Sequence, residues 1–205
     1  MAGATTWEVP AEGHWVVPEA ARVSPLDRGQ MGWAARLTLR MIRRRTDYDG
    51  DFTVFRTFAR LGSIFPAHSV FLSQILLRGR ISASHKELVI VHVAWRTGCA
   101  YEWAHHAHMA GALGITPEQI RAVSTDLPVV DDAKLARLLA AAAVLVDRGH
   151  LDEAEWTALS QATSSDQALE LCLLVGHYVM VAMTIKSAGI QLEPEFRSTA
   201  PESRS

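Results

Sequence analysis

Apolar side chains recur at helical spacing along most of this chain. Asp27 is a fair N-cap, and Met31, Ala34, Ala35, Leu37, Thr38 and Met41 give a mostly apolar side. That pattern predicts a helix over 27–45, stopped by TDYDGD. Phe52, Phe55, Phe58 and Ala59 predict the next helix over 51–61, broken at Gly62. Pro66 opens a third, which runs through Phe71, Ile75 and Leu76 to Arg78-Gly79. Thr116-Pro117-Glu118-Gln119 reads as a cap, a first-position proline and a short helix. Leu135, Leu138, Leu139, Ala142 and Leu145 line the inside of a strongly apolar helix over 131–146. Gln167 to Ala188 forms the last, ending at Gly189-Ile190.

Residues 84–109 organise the rest. They read as two helices meeting at a break near Thr97-Gly98, the second running from about 99 to Gly114. Leu88 to Trp95 is rich in β-branched residues and in isolation fits a strand, but its alternation is imperfect and its neighbours are helical. The fold class is therefore all-α. Ser82 or Ser84 caps the first of these helices, and with Ser84 as cap Glu87 would close a capping box. Arg148-Gly149-His150-Leu151-Asp152 echoes Arg78-Gly79-Arg80-Ile81-Ser82, which suggests a loose internal duplication. Three units follow: an N-terminal arm over 1–24 pinned by Trp7, Trp15 and Val16, a helical domain over 25–192, and a polar tail over 193–205.

Composition narrows the function classes. With 205 residues, 49% of them apolar, the chain suits one domain, and small all-helical subunits often complete their core by oligomerising. A net charge of -2 leaves no basic field for nucleic acid. The local cluster Arg40, Arg43, Arg44 and Arg45 reads as a solvated helix end or as a contact for an acidic neighbour. Cys99 and Cys172 form neither a Cys-x-x-Cys pair nor a disulfide framework, which points to a reduced, cytoplasmic protein. No secretion signal is visible, and apolar runs such as LARLLAAAAVLV are too short for a bilayer, so no membrane partner is expected. No Gly-rich phosphate loop follows a strand, so no nucleotide cofactor is expected.

The candidate chemistry lies in the second half of the organising stretch. Glu102 and His106 are four residues apart, on one helix face, with Cys99 a turn earlier. Glu102 with His106 is a plausible proton-transfer pair, and Glu87 completes a relay from the facing helix, or else serves only as a cap. Cys99 follows Gly98 at a helix start, where amides and the dipole favour a thiolate; the plain alternative is a small buried apolar residue. His105, His106 and His108 do not share a face; Glu102 and His106, with Glu87 as a third ligand, make a metal site conceivable from spacing alone, but none is expected. Arg96 is placed to grip a substrate carboxylate or to form a surface salt bridge, and Tyr101 and Trp103 wall a pocket or simply pack.

These residues resemble the carboxymuconolactone decarboxylase family, which includes the alkylhydroperoxidase AhpD-like proteins. The family signature is a Glu, a Cys about twelve residues on, a second Cys three further and a His four further. Glu87, Cys99, Glu102 and His106 fall on it, as do the opening Ser84-x-x-Glu87-Leu88-Val89 and the continuation HAHMAGALGITPEQI. The resemblance is specific over 60–125 and implies an all-helical fold, assembly as a trimer, hexamer or dimer, and a site near subunit contacts. The family's redox branch uses two cysteines and a protein electron donor; its decarboxylase branch acts on a lactone acid without a redox cofactor. Here Glu102 replaces the second cysteine, which argues against dithiol peroxidase chemistry. The resemblance thus implies cofactor-free, lyase-type acid–base catalysis on a small cyclic or lactone organic acid by Glu87, Cys99, Glu102 and His106. The alternatives are a single-cysteine peroxidase or redox protein, and a non-catalytic helical oligomer.

Overall fold

The structure, a computed structural model, describes residues 13–43, 52–194 and 196. Among these there is no strand. A 3-10 turn at Arg28–Gln30 precedes α1 (Trp33–Arg43) and α2 (Thr53–Phe58), and a second turn (Ala59–Leu61) leads to α3 (Ile64–Arg78). Then come α4 (Ala83–Arg96), α5 (Ala100–Ala112), α6 (Pro117–Val123), α7 (Ala133–Arg148), α8 (Glu153–Ala162) and α9 (Ser165–Ala188). The helix expected over 27–45 is therefore a turn, a break at Gly32 and α1; the Arg44-Arg45 end of the basic cluster, and Trp7, lie outside the described residues.

Helix α4 is the axis of the molecule, packed against α3, α5, α6, α7 and α9. Val89, Ile90 and Val91 are fully buried there. Its β-branched run thus reflects burial on all sides rather than strand pairing. Ser82 is the cap, accepting from the amide of His85. With Ser82 as cap, His85 and not Glu87 takes the third helical position, and the Glu87 side chain is left for other work. The remaining ends follow local chemistry: Thr116 with Gln119, and Asp152 with Glu155, form capping boxes, and Asp132 accepts from the amide of Leu135.

Two glycines fix how the arm is laid down. Gly98, between α4 and α5, and Gly189, after α9, both have φ of 67°. A Cβ at Gly98 would lie 2.5 Å from the carbonyl oxygen of His14, and one at Gly189 would lie 2.5 Å from that of Ala20. The arm crosses both breaks, with the amide of Val16 donating to Gly98 at 2.8 Å and that of Arg22 to Ala188 at 2.9 Å. Trp15 packs edge-on against Trp103 at 5.9 Å. At the other end, the tail expected from 193 begins docked: Glu193 and Phe196 are buried.

Helix α9, with 24 residues, is the one helix among those described that is long and apolar enough to cross a bilayer. Polar residues, among them Glu170, His177 and Lys186, interrupt its apolar sequence, so no single run shows this. Half of its apolar window is buried inside the protein, where it packs on α4, α7 and α8, as the core helix of a folded domain does.

Candidate active site

A cavity of about 450 Å³ opens between α2, α3, α5 and α9. Phe52, Phe55, Phe58, Leu72, Leu76, Val181 and Ile185 give it a mostly apolar wall. The polar groups that reach it are Lys86 and Glu87 of α4, Glu102, His105 and His106 of α5, His68 of α3, and His177 and Tyr178 of α9.

Glu87 and His106 meet across the α4–α5 contact, with Nδ1 of the ring 2.7 Å from Oε2 of the carboxylate. Both are buried. A carboxylate only accepts, so Nδ1–H donates and Nε2 is the exchangeable position. Tyr178 stands edge-on to this ring at 4.9 Å and holds its plane. The sequence pairs His106 with Glu102; the structure gives it to Glu87 instead. Side chains at i and i+4 lie alongside each other on one helix, whereas Glu87 approaches the ring end-on from the facing helix.

Glu102 is 3% exposed, and neither of its oxygens has a hydrogen-bond partner. Burial pushes its carboxyl well above the usual carboxylate range, and the neighbouring Cys99 thiol and Lys186 ammonium pull it back only in part. That shift favours the protonated acid, the form with a proton to give.

Cys99 is fully buried at the cap position of α5. It does not line the cavity. It faces a separate void of about 30 Å³ beside Val16, Pro18 and Leu192. Burial pushes the thiol well up, and the carboxyl of Glu102 adds to this. The thiolate expected from the helix start is thus disfavoured, because desolvation outweighs the dipole. Cys172 is half-buried on α9, and both cysteines are free.

The other sequence candidates separate. Tyr101 lines the cavity, accepts from the amide of Val54 at 3.1 Å and donates to Glu193 at 2.7 Å. Arg96 lies outside it, its guanidinium paired with Asp147 and, at 3.8 Å, with Asp126. Trp103 is buried in the main core and donates to Ser124 at 2.9 Å. His68 and His177 stand outside the cluster that the sequence spacing brings together. The two imidazoles stack at 4.9 Å with planes 24° apart. Burial, with His68 and His106 adding, lowers the pKa of His177 to about 4, and burial lowers that of His68. Among the described residues no three His, Cys, Asp or Glu side chains are grouped to hold a metal ion.

Residues 70–147, which include Glu87, Cys99, Glu102 and His106, match the Carboxymuconolactone decarboxylase family. No curated protein matches the chain in sequence. Solved structures match over most of it. One is an uncharacterized peroxidase-related protein from Ralstonia eutropha JMP134, described as an alkylhydroperoxidase AhpD core, with TM-score 0.77 and 16% identity over 89% of this chain and 98% of that one. Another is a variant of the debrominase Bmp8 in complex with 2,3,4-tribromopyrrole, with TM-score 0.71 and 16% identity over 89% of this chain and 97% of that one. A third, an uncharacterized peroxidase-related protein from Silicibacter sp. TM1040, has TM-score 0.75 and 14% identity over 87% of this chain and 96% of that one. The fold is the all-helical architecture of the AhpD-like and carboxymuconolactone decarboxylase-like proteins.

Proposed function

We propose that this protein is an enzyme of acid–base, lyase or isomerase type, acting on a small cyclic or lactone compound held in the α2–α3–α5–α9 cavity. The observation that carries the reading is the pairing of opposite roles on one cavity wall. Glu87 orients His106 so that Nε2 takes a proton, while Glu102, neutral and unbonded, gives one. Proton removal next to a carbonyl and reprotonation of the resulting enolate need one group of each kind. Of the expected roles, Glu87 positions, His106 is the base and Glu102 the acid; Tyr101 shapes the wall, and Cys99 supports Glu102 from behind. Arg96 and Trp103 take no part in binding.

Among the described residues the acid group of the expected substrate has no ready partner. Lys86 is the one lysine or arginine among the described residues that line the cavity, and its ammonium is taken by the carbonyls of Ile75 and Leu76 and by Glu170 at 3.2 Å. We therefore place the reacting ring, not a carboxylate, at the centre of recognition. That the chain is similar in fold to a protein solved with tribromopyrrole fits a flat ring in this cavity. A homo-oligomer completes the picture. Leu169, Leu173, Met180 and Met183 stand exposed along one stripe of α9, at alternating spacings that suit a helix of a second copy. The two free thiols suit a cytoplasmic setting.

The test is proton exchange. Small lactones and cyclic ketones are incubated with the protein in D₂O, and loss of C–H signal is followed by NMR. Exchange is expected with the wild type and should fall about 10²–10⁴-fold in His106→Gln. Equal exchange in wild type and variant would refute the reading.

A further inference from the structure

His68 and His177 are unused by the proton-transfer set, yet they are built into the same cavity. Both ring nitrogens of His68 and Nδ1 of His177 are shielded from solvent and bonded to nothing. His177 is 5% exposed, so an unanswered polar atom is held there at a cost. Their stacking fixes both rings, and Phe58 and Phe71 pack on them at 5.3 and 5.6 Å. A neutral imidazole offers one N–H donor and one bare nitrogen acceptor. Stacked rings so close together cannot both carry charge, and desolvation keeps each neutral.

We propose that the His68–His177 stack is the specificity element of the cavity, reading the O–H or N–H of a neutral ring compound of phenol or azole size that also carries the carbonyl on which the proton-transfer set acts, and rejecting carboxylates. This rests on the cavity being the reacting site proposed above, and it names the class of compound that site takes. The apolar walls receive the body of the ring. A neutral hydroxyl or ring N–H donates to the bare nitrogen of one imidazole and leaves no charge behind. An anion would need a free cation, and among the described residues the lysine of the lining, Lys86, is already engaged. Sites built to bond a polar hydrogen discriminate strongly against analogues that lack it, because their own polar atoms are then left unpaired.

The experiment is binding without turnover. Phenol, pyrrole, toluene and benzoate are titrated into the full-length protein at neutral pH by ligand-observed NMR, with competition against phenol. Phenol and pyrrole are expected to bind at least about tenfold tighter than toluene or benzoate. His177→Phe and His68→Phe should each weaken phenol about fivefold or more while leaving toluene unchanged or tighter. The toluene arm shows that each variant keeps its cavity. Benzoate binding as well as phenol, no binding of phenol at all, or phenol affinity unchanged in both variants would overturn the assignment. Phenol binding as described, with no proton exchange on any compound, would break the acid–base reading and leave this one standing.

Discussion

Two carboxyls are buried against neighbouring faces of α5, and they are held in opposite states. Glu193 reaches in from the chain's far end. It takes the amide of Thr53 at the start of α2 and the hydroxyl of Tyr101 at 2.7 Å, and it lies 2.9 Å from Nε2 of His105. Burial alone would raise its pKa, but His105, the Thr53 amide and Tyr101 hold it down at about 2. Glu102, one position along the helix from Tyr101, is as deeply buried and has no hydrogen-bond partner, and its pKa is driven up. The same side chain, similarly dry, is bonded through Oε1 to Thr53 and Tyr101 in one place and has both oxygens unpaired in the other. A buried carboxylate tied to two donors and beside an imidazole is part of the scaffold; one with both oxygens unpaired in the wall of a cavity is suited to act on what enters it.

Breaking the bonded side should have the largest effect on stability. Glu193→Ala strands a hydroxyl, a helix-start amide and an imidazole together, and should cost about 3–5 kcal/mol in denaturant unfolding. It should also loosen α2, whose first amides are capped by Glu193 and by Tyr101 instead of by a local side chain. A loss near that of a surface substitution would mean the contact is incidental.

The cavity histidine gives an effect that depends on acid. His177 titrates at about 4 in the folded chain against 6.5 in the unfolded one. Unfolded chains therefore gain its proton first, and the stability it confers is present above 6.5 and lost as the pH falls through 4. The loss across that window is about 3 kcal/mol. His177→Phe should remove it, moving the acid-unfolding midpoint downward. His92 also titrates at about 4, with Nδ1 donating to the carbonyl of Val123 at 2.7 Å away from the cavity. Its acid lability should survive in the His177 variant, which makes it an internal control.

The smallest effect is expected at the thiol. Cys99→Ala removes one buried sulfur beside a small void and should cost about 1 kcal/mol, with proton exchange on substrate changed less than about tenfold. Total loss of turnover in a folded Cys99→Ala protein would return the chemistry to the thiol.

Helix starts and stops are the most legible part of the fold, because Ser82, Thr116-Pro117 and Gly189 act through bonds a few residues long. The helical state of α4 was legible only through its neighbours, since burial on every side erases the periodicity that marks a half-exposed helix. In the site, the family spacing brought out Glu87 and His106 together but not which carboxylate bonds the ring. That choice depends on the crossing of α4 with α5, a property of packing and not of either helix alone. His68, His177 and Glu193 lie 38 residues before, 71 after and 87 after His106. Nothing local joins them to it; only the closing of α3, α9 and the chain end around α5 does.

The central claim is that Glu102 keeps its proton at neutral pH inside the cavity. Infrared difference spectroscopy between the wild type and Glu102→Gln reads this directly, through the C=O stretch of a protonated carboxyl. A protonated-carboxyl band present at pH 7 in the wild type and absent from the variant is the result expected. A difference spectrum at pH 7 showing only the loss of an ionised carboxylate would contradict the account.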